Sequence, residues 1–427
     1  MYKLSVFNFL DIVKTMHYKK HFLQKNICAI YLSLGGVVWF YNTSIGVYKS
    51  LILLFLLFLC RRFFTKANLY GWGFTVFLLV LLYISHEMSG KDFSDFLPLS
   101  WGLIDNFIFF TIGYNFTKNG FVDADFSKTM LFSVSFFCLL TVTNFLFNTP
   151  DWISPIDVER TNKIYYDSRT IIENIPLYSS GFGLGRTGWG HTLALCIPFS
   201  LYFFLNNDRK VLPCILILIT LLSVILSGSR GAFLSVLTIF CLYMAKKASK
   251  SFISVVFLLV LFSPIILIYG EQIFNFITEH FRLDNSDISN KRFEQYSHIP
   301  NMINEMGVWG LGVGGTKLYL SNLGLDYSLH NNYIRIFLEH GWVVGLIGGC
   351  WVLFIMKLTI LTILKEKQNT YQFCASCVII SGLISCFFEP NAVFLARTWY
   401  VVWWFSLGII FNNYRKKKVN YRTKTFQ

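Results

Sequence analysis

Four short segments hold the residue types that could do chemistry. The first is Ser227-Gly228-Ser229-Arg230-Gly231, which joins two apolar stretches. Ser229 is placed to cap the helix that follows, so that helix's first amides and positive dipole end would face a surface beside Arg230. Such a grouping attracts a phosphate or pyrophosphate. An interfacial anchor arginine in a tight turn would carry the same residues, and the two readings stand level. The second segment runs from Leu329 to Trp342. Spacing of four sets Asn331, Arg335 and Glu339 on one face of a short helix, with Tyr333 in its first turn and Gly341 at its end. His330 stands at the helix start. An unperturbed imidazole titrates near about 6.5, which suits His330 to accept a proton at neutral pH. The plainer alternative is a polar interfacial helix with an Arg–Glu pair.

The third segment is Ser289-Asn290-Lys291-Arg292-Phe293-Glu294-Gln295-Tyr296, which has helical character. It leads into the glycine run Gly307 to Gly315. That run is no dinucleotide fingerprint, because no strand–helix context surrounds it. It would bring backbone amides close to a ligand or form a flexible turn over a membrane surface, and the turn is the expectation. The fourth segment, Gly181 to His191, offers Arg186 as another cation and His191 as a rival base. Trp189 reads there as an aromatic-belt residue. Asp105 lies inside an apolar stretch, where an ionisable group is a functional candidate. Glu389 and Arg397 flank the last outward loop and are expected to pair.

The elements that must position these residues are membrane helices. Of the 427 residues, 54% are apolar and only 14% are charged, against roughly a quarter charged in a soluble domain. The class is therefore all-α and polytopic, a single integral membrane domain over residues 1–427. A bilayer core of about 30 Å needs roughly 20 apolar residues per helix. Twelve segments qualify: 26–42, 45–60, 70–86, 98–116, 129–147, 188–206, 210–226, 231–246, 252–270, 341–363, 371–388 and 394–411. With both termini in the cytoplasm, the cytoplasmic ends hold 23 of the 37 Lys and Arg residues, in short loops. The positive-inside rule supports that orientation. It also accounts for the net charge of +14, so nucleic acid is not an expected partner. Two long outward loops follow, at 148–187 and 271–340. Their Trp, Tyr and Gly content argues for order. All ten cysteines fall in or beside apolar runs, which argues against a disulfide framework. Cys374 and Cys377 read as small residues on a helix face. No cleavable signal peptide is evident in the first 25 residues.

Taken in order, these elements resemble the O-antigen ligase and polymerase superfamily of bacterial polysaccharide assembly. The resemblance rests on S-x-S-R-G at Ser227 to Gly231, on Arg292 followed by W-G-x-G-x-G at Trp309 to Gly314, and on H-N-x-Y with its glycine turn at His330 to Gly341. It covers roughly residues 180–350. Two departures stand out. Gly307-Val308 replaces the usual proline before the glycine run, and the paired arginine-to-glycine spacing of some polymerases is missing. The resemblance implies metal-independent and cofactor-free glycosyl transfer at the periplasmic face of a bacterial inner membrane. The donor is a glycan on undecaprenyl pyrophosphate. Arg230 and Arg292 would stabilise the pyrophosphate leaving group, with Arg186 as a third cation. His330 would be the general base. Ser229, Asn331, Tyr333, Arg335 and Glu339 would bind substrate. Membrane lipid is an implied partner, and a polysaccharide chain-length regulator is a further candidate.

Polymerisation of repeat units of O-antigen or capsule is the first reading. Transfer of the finished chain to lipid A–core, the ligase reaction, is the second. A lipid-linked sugar flippase is the reading from another class. It would show repeated halves and charges inside the membrane, whereas the charges here gather at one surface.

Overall fold

The computed structural model describes residues 25–30, 32, 66–90, 93–118, 120–147, 186–247, 292–325, 329–387 and 401–424. These residues are helical or in turns, with no strand among them. The helices are α1 Lys66–Met88, α2 Phe93–Lys118, α3 Ala124–Phe147, α4 Arg186–Asn206, α5 Val211–Leu226, α6 Arg230–Lys247, α7 Arg292–Ser297, α8 Ile299–Glu305, α9 Gly315–Asn322, α10 Asn332–Lys365, α11 Tyr371–Ser385 and α12 Val401–Lys424. The expected spans at 45–60 and 252–270 lie outside the described residues. So do most of 26–42 and the first residues of 394–411, together with the loop 148–185, residues 271–291, Glu389 and Arg397.

Gly71–Met88, Gly188–Asn206 and Asn332–Lys365 are long and apolar enough to cross a membrane, while Val211–Leu226 and Tyr371–Ser385 are shorter apolar helices. Apolar side chains also point outward. Val76, Phe77 and Val80 of α1 are exposed, as are Val211, Leu218 and Leu222 of α5 and Leu346, Leu353 and Leu364 of α10. Water would penalise such a surface, and lipid does not. Threonine hydroxyls inside these helices turn back to the carbonyl four residues earlier. Thr111 bonds Phe107 O at 3.0 Å, Thr192 bonds Gly188 O at 2.9 Å and Thr359 bonds Ile355 O at 2.8 Å. Each polar group is thereby satisfied without water.

Contacts between connectors sort the helix ends into two groups. At one end Asn206 donates to Asn369 O, Lys246 to Ile363 O, Gln368 to Tyr243 O and Asn413 to Glu366. Lys25 pairs with Asp123 at the start of α3, 2.5 Å away. At the other end Ser85 and Ser89 meet Trp309 and Gly310, and Asn332 meets Cys386. From α1 to α6, and again from α10 to α12, successive described long helices run in alternate directions between these ends. The main core lies between α2, α3, α4, α6, α11 and α12, around Phe109, Phe126, Phe199, Phe373 and Trp403. A separate small core of Met302, Met306, Leu320, Leu325, Leu329 and Leu338 sits under α8, α9 and the start of α10. The described part of the second long loop is thus ordered on a core of its own.

Candidate functional site

Two helix starts lie side by side in the main bundle. Position 190 of α4 packs directly on the turn before α6. A side chain there would collide with Ser227 Oγ, Ser229 Cβ and Ala232 Cβ, so only glycine permits the approach. Ser227 Oγ donates to Val224 O at 2.6 Å and accepts from Ser229 N at 3.3 Å. Ser229 Oγ accepts from Ala232 N at 3.3 Å, the geometry of an N-cap. Both serines are buried. Arg230 opens α6 and is half-buried, and Arg186 opens α4. The side chains of Arg186 and Arg292 lie outside the described residues, so these two are placed by their helices alone. His191 is fully buried, and its Nδ1 lies 2.9 Å from Ser385 Oγ. Trp189 is buried in the main core rather than on an outer belt.

The histidine segment follows its expected local pattern. Asn331 caps α10 by accepting from Ile334 N at 3.1 Å. Arg335 Nε and Glu339 Oε1 form an ion pair at 2.9 Å one turn apart, and Thr316 Oγ1 donates to the same Oε1 at 2.6 Å. Glu339 is fully buried, so two donors on one oxygen offset much of its desolvation. The Tyr333 hydroxyl donates to Leu383 O at 2.8 Å, and Asn332 N donates to Cys386 O at 2.7 Å. His330 is half-buried, and its carbonyl accepts from the Tyr296 hydroxyl at 3.3 Å. Tyr296 lies about one turn beyond Arg292 on α7, so that contact brings the Arg292 helix to His330. Asp105 is half-buried within α2.

The glycine run departs from expectation. It is no loose turn, because it docks on the break in α10. Gly341 has φ 74°, which ends one helical stretch and starts another within α10. That break leaves carbonyls without helical partners. Leu311 N donates to Leu338 O and Gly312 N to Glu339 O, both at 2.9 Å, while Trp342 N returns a bond to Val308 O at 3.0 Å. Gly310 has φ 88°, and a side chain on either Gly310 or Gly341 would strike the other's backbone. The amides of Leu311 and Gly312 are therefore committed to α10 and not held for a ligand.

A cavity of about 960 Å³ lies between α1, α2, α10, α11 and α12. Phe74, Leu103, Phe107 and Trp351 line it, with Tyr333 and His340 among its few polar groups. His340 is 1% exposed and has no hydrogen-bond partner among the described residues. Gln295, on α7 beside Tyr296, is fully buried with neither amide atom paired among the described residues. Sequence reasoning passed over Gln295, His340 and Ser385. An apolar or polar residue type says nothing by itself about which distant element will cover it. Among the described residues, no three His, Cys, Asp or Glu side chains gather in a way that could hold a metal.

Residues 215–348 match the model of a family described as O-antigen ligase. That range takes in Ser227 to Gly231, Arg292, the glycine run and His330 to Gly341, and leaves out Arg186, His191 and Ser385. Over 380 residues the chain is 23% identical to the ComP-specific O-oligosaccharyltransferase of Acinetobacter baylyi, an alignment covering 82% of this chain and 64% of that relative. The chain thus spans less than two thirds of the relative's length. No solved structure matches. The matched segment is thus similar to the O-antigen ligase family, and the motifs it contains, in their order and on the helices that carry them, agree with that similarity.

Proposed function

We propose that the chain transfers a glycan from undecaprenyl pyrophosphate to an acceptor hydroxyl at the periplasmic face of the inner membrane. The observation that carries this reading is the packing of Gly190 against Ser227 and Ser229. It sets two helix starts together, each headed by an arginine, at the same end of the bundle as His330. In the reaction, the acceptor oxygen bonds to the anomeric carbon as the bond from that carbon to the pyrophosphate oxygen breaks. The bonding electrons leave with the lipid pyrophosphate. Arg230, Arg292 and Arg186, with the amides at the α6 start, oppose the charge that builds there. His330 takes the acceptor's proton. Ser229, Asn331 and Tyr333 act by fixing the helix starts, since their side chains bond the protein's own backbone. Glu339 holds Arg335. The apolar cavity below Tyr333 and His340 suits the polyprenyl portion of the donor.

Repeat-unit polymerisation is the first acceptor reading. Transfer of a finished glycan to lipid A–core or another acceptor is the second, favoured by the ligase description of the matched family and the transferase name of the relative. Deleting the gene and resolving the lipopolysaccharide on a gel tests both. Loss of the ladder with one repeat unit left on the core means polymerase. Bare core with accumulated lipid-linked polymer means ligase. An intact ladder with unchanged capsule and unchanged protein-linked glycan would sink the enzyme reading.

A further inference from the structure

The last turn of α11 touches both halves of the candidate site. Ser385 bridges from there to two other helices, and the motifs do not include it. Ser385 Oγ lies 2.9 Å from His191 Nδ1 on α4 and 3.1 Å from Ser235 Oγ on α6. It also lies 3.1 Å from Ser381 O, and Ser235 Oγ approaches that carbonyl at 3.3 Å. His191, Ser235 and Ser385 are all fully buried. A hydroxyl offers one donor and two acceptor sites, so Ser385 meets all three neighbours when it donates to Ser381 O and accepts from Ser235 Oγ–H and from the Nδ1–H tautomer of His191. Buried Thr111 and Thr359 bond only the carbonyl one turn back in their own helix among the described residues, and Ser135 reaches one other helix, at Leu216 O. Ser385 makes that bond and reaches two further helices.

The placement has a regular geometry. His191 follows Arg186 by five residues, and Ser235 follows Arg230 by five. Both clamped positions therefore lie about 7.5 Å along the helix from the arginine that heads it. The same turn of α11 holds the histidine segment from its other side. Cys386 O accepts from Asn332 N at 2.7 Å and Leu383 O accepts from the Tyr333 hydroxyl at 2.8 Å. We infer that Ser385 is a positioning residue, which fixes the arginine-headed starts of α4 and α6 in register with His330. This inference rests on the glycan-transfer reading for its functional consequence and on geometry alone for the clamp.

The test compares Ser385→Ala, Ser385→Thr, Ser235→Ala and Ser376→Ala in a deletion host. Ser376 is the control, because its hydroxyl bonds Gln372 O within α11 and, among the described residues, reaches no other helix. Transfer is measured in membranes with lipid-linked glycan extracted from that host, and inserted protein is quantified. Ser385→Ala should insert normally and lose kcat by roughly 10- to 100-fold with donor KM nearly unchanged, as misplacement of reacting groups predicts. Ser385→Thr keeps the hydroxyl and should recover to within about threefold of wild type. Ser235→Ala removes one arm and should fall between them, and Ser376→Ala should match wild type. Amide exchange of the purified full chain gives a readout independent of activity. In Ser385→Ala, exchange should rise together in 186–191, 230–235 and 331–335.

Wild-type kcat in Ser385→Ala, no recovery in Ser385→Thr, or faster exchange confined to α11 would each overturn the clamp. If Ser385→Ala does not insert, wild-type behaviour of Ser235→Ala does the same. Should His330→Ala retain full transfer, the catalytic reading fails instead, and the exchange pattern still decides on Ser385.

Discussion

The two halves of the candidate site are held by different physics. The arginine half, at the starts of α4 and α6, belongs to the main bundle. Trp189, Leu193 and Ala232 pack in the large core, and hydroxyls of Ser227, Ser229, Ser235 and Ser385 fix the backbone. The histidine half sits between cores. Tyr333 packs against the large core, whereas Ile334 and Phe337 pack against the small one. Backbone bonds from the glycine run and a buried ion pair complete it. The cation side is thus as rigid as the bundle. The base side hangs on few bonds and one charge pair. Under the proposed glycan-transfer reading, a bulky substrate would enter over the histidine wall while the arginine wall stays fixed.

Several substitutions would break or sharpen this contrast. The largest effect should come from removing either chemical group. His330→Ala and Arg230→Ala should each lower transfer by about 10²- to 10⁴-fold while the protein still inserts. Wild-type glycan profiles from both would refute the site. Next, Arg335→Met strands Glu339 without its charge partner and should cost about 3–5 kcal/mol in thermal unfolding of the purified protein. Arg335→Met combined with Glu339→Leu should recover part of that loss. If the single substitution is silent, the histidine half does not depend on its ion pair. Gly341→Ala forces a side chain into a positive φ and into the Val308 to Gly310 backbone. It should cost about 1–3 kcal/mol or more and raise amide exchange across 308–315 before the bundle melts. Simultaneous melting would show that the two cores are one cooperative unit. The smallest effect should be Ser229→Ala, which removes a cap worth about 1 kcal/mol. Its exchange change should stay within the first turn of α6.

Much of this was legible because it is local. Ser229 caps α6 through a bond three residues away, and Asn331 caps α10 in the same way. Arg335 and Glu339 meet because four residues make about one turn. The glycine run was misjudged because its partner, the break at Gly341, lies about thirty residues on in sequence. Nothing in W-G-x-G-x-G states that its amides will serve another helix's carbonyls. The sequence offers His191 as a rival base, because histidine near a surface segment suggests acid–base chemistry, and packing buries it against Ser385. Trp189 went to the core for the same reason.

Hydropathy and short-range hydrogen bonds act within a few residues, so residue order is enough to specify an apolar helical molecule, the positions of the described long helices, their caps and the arginine and histidine motifs. The tertiary structure alone decided which helix starts stand together. It set Gly190 on Ser227, Thr316 on Glu339, Gly310 on Gly341 and Ser385 between His191 and Ser235. Those contacts join residues far apart in the chain. They depend on close approach of whole helices, which the order of residue types does not encode locally.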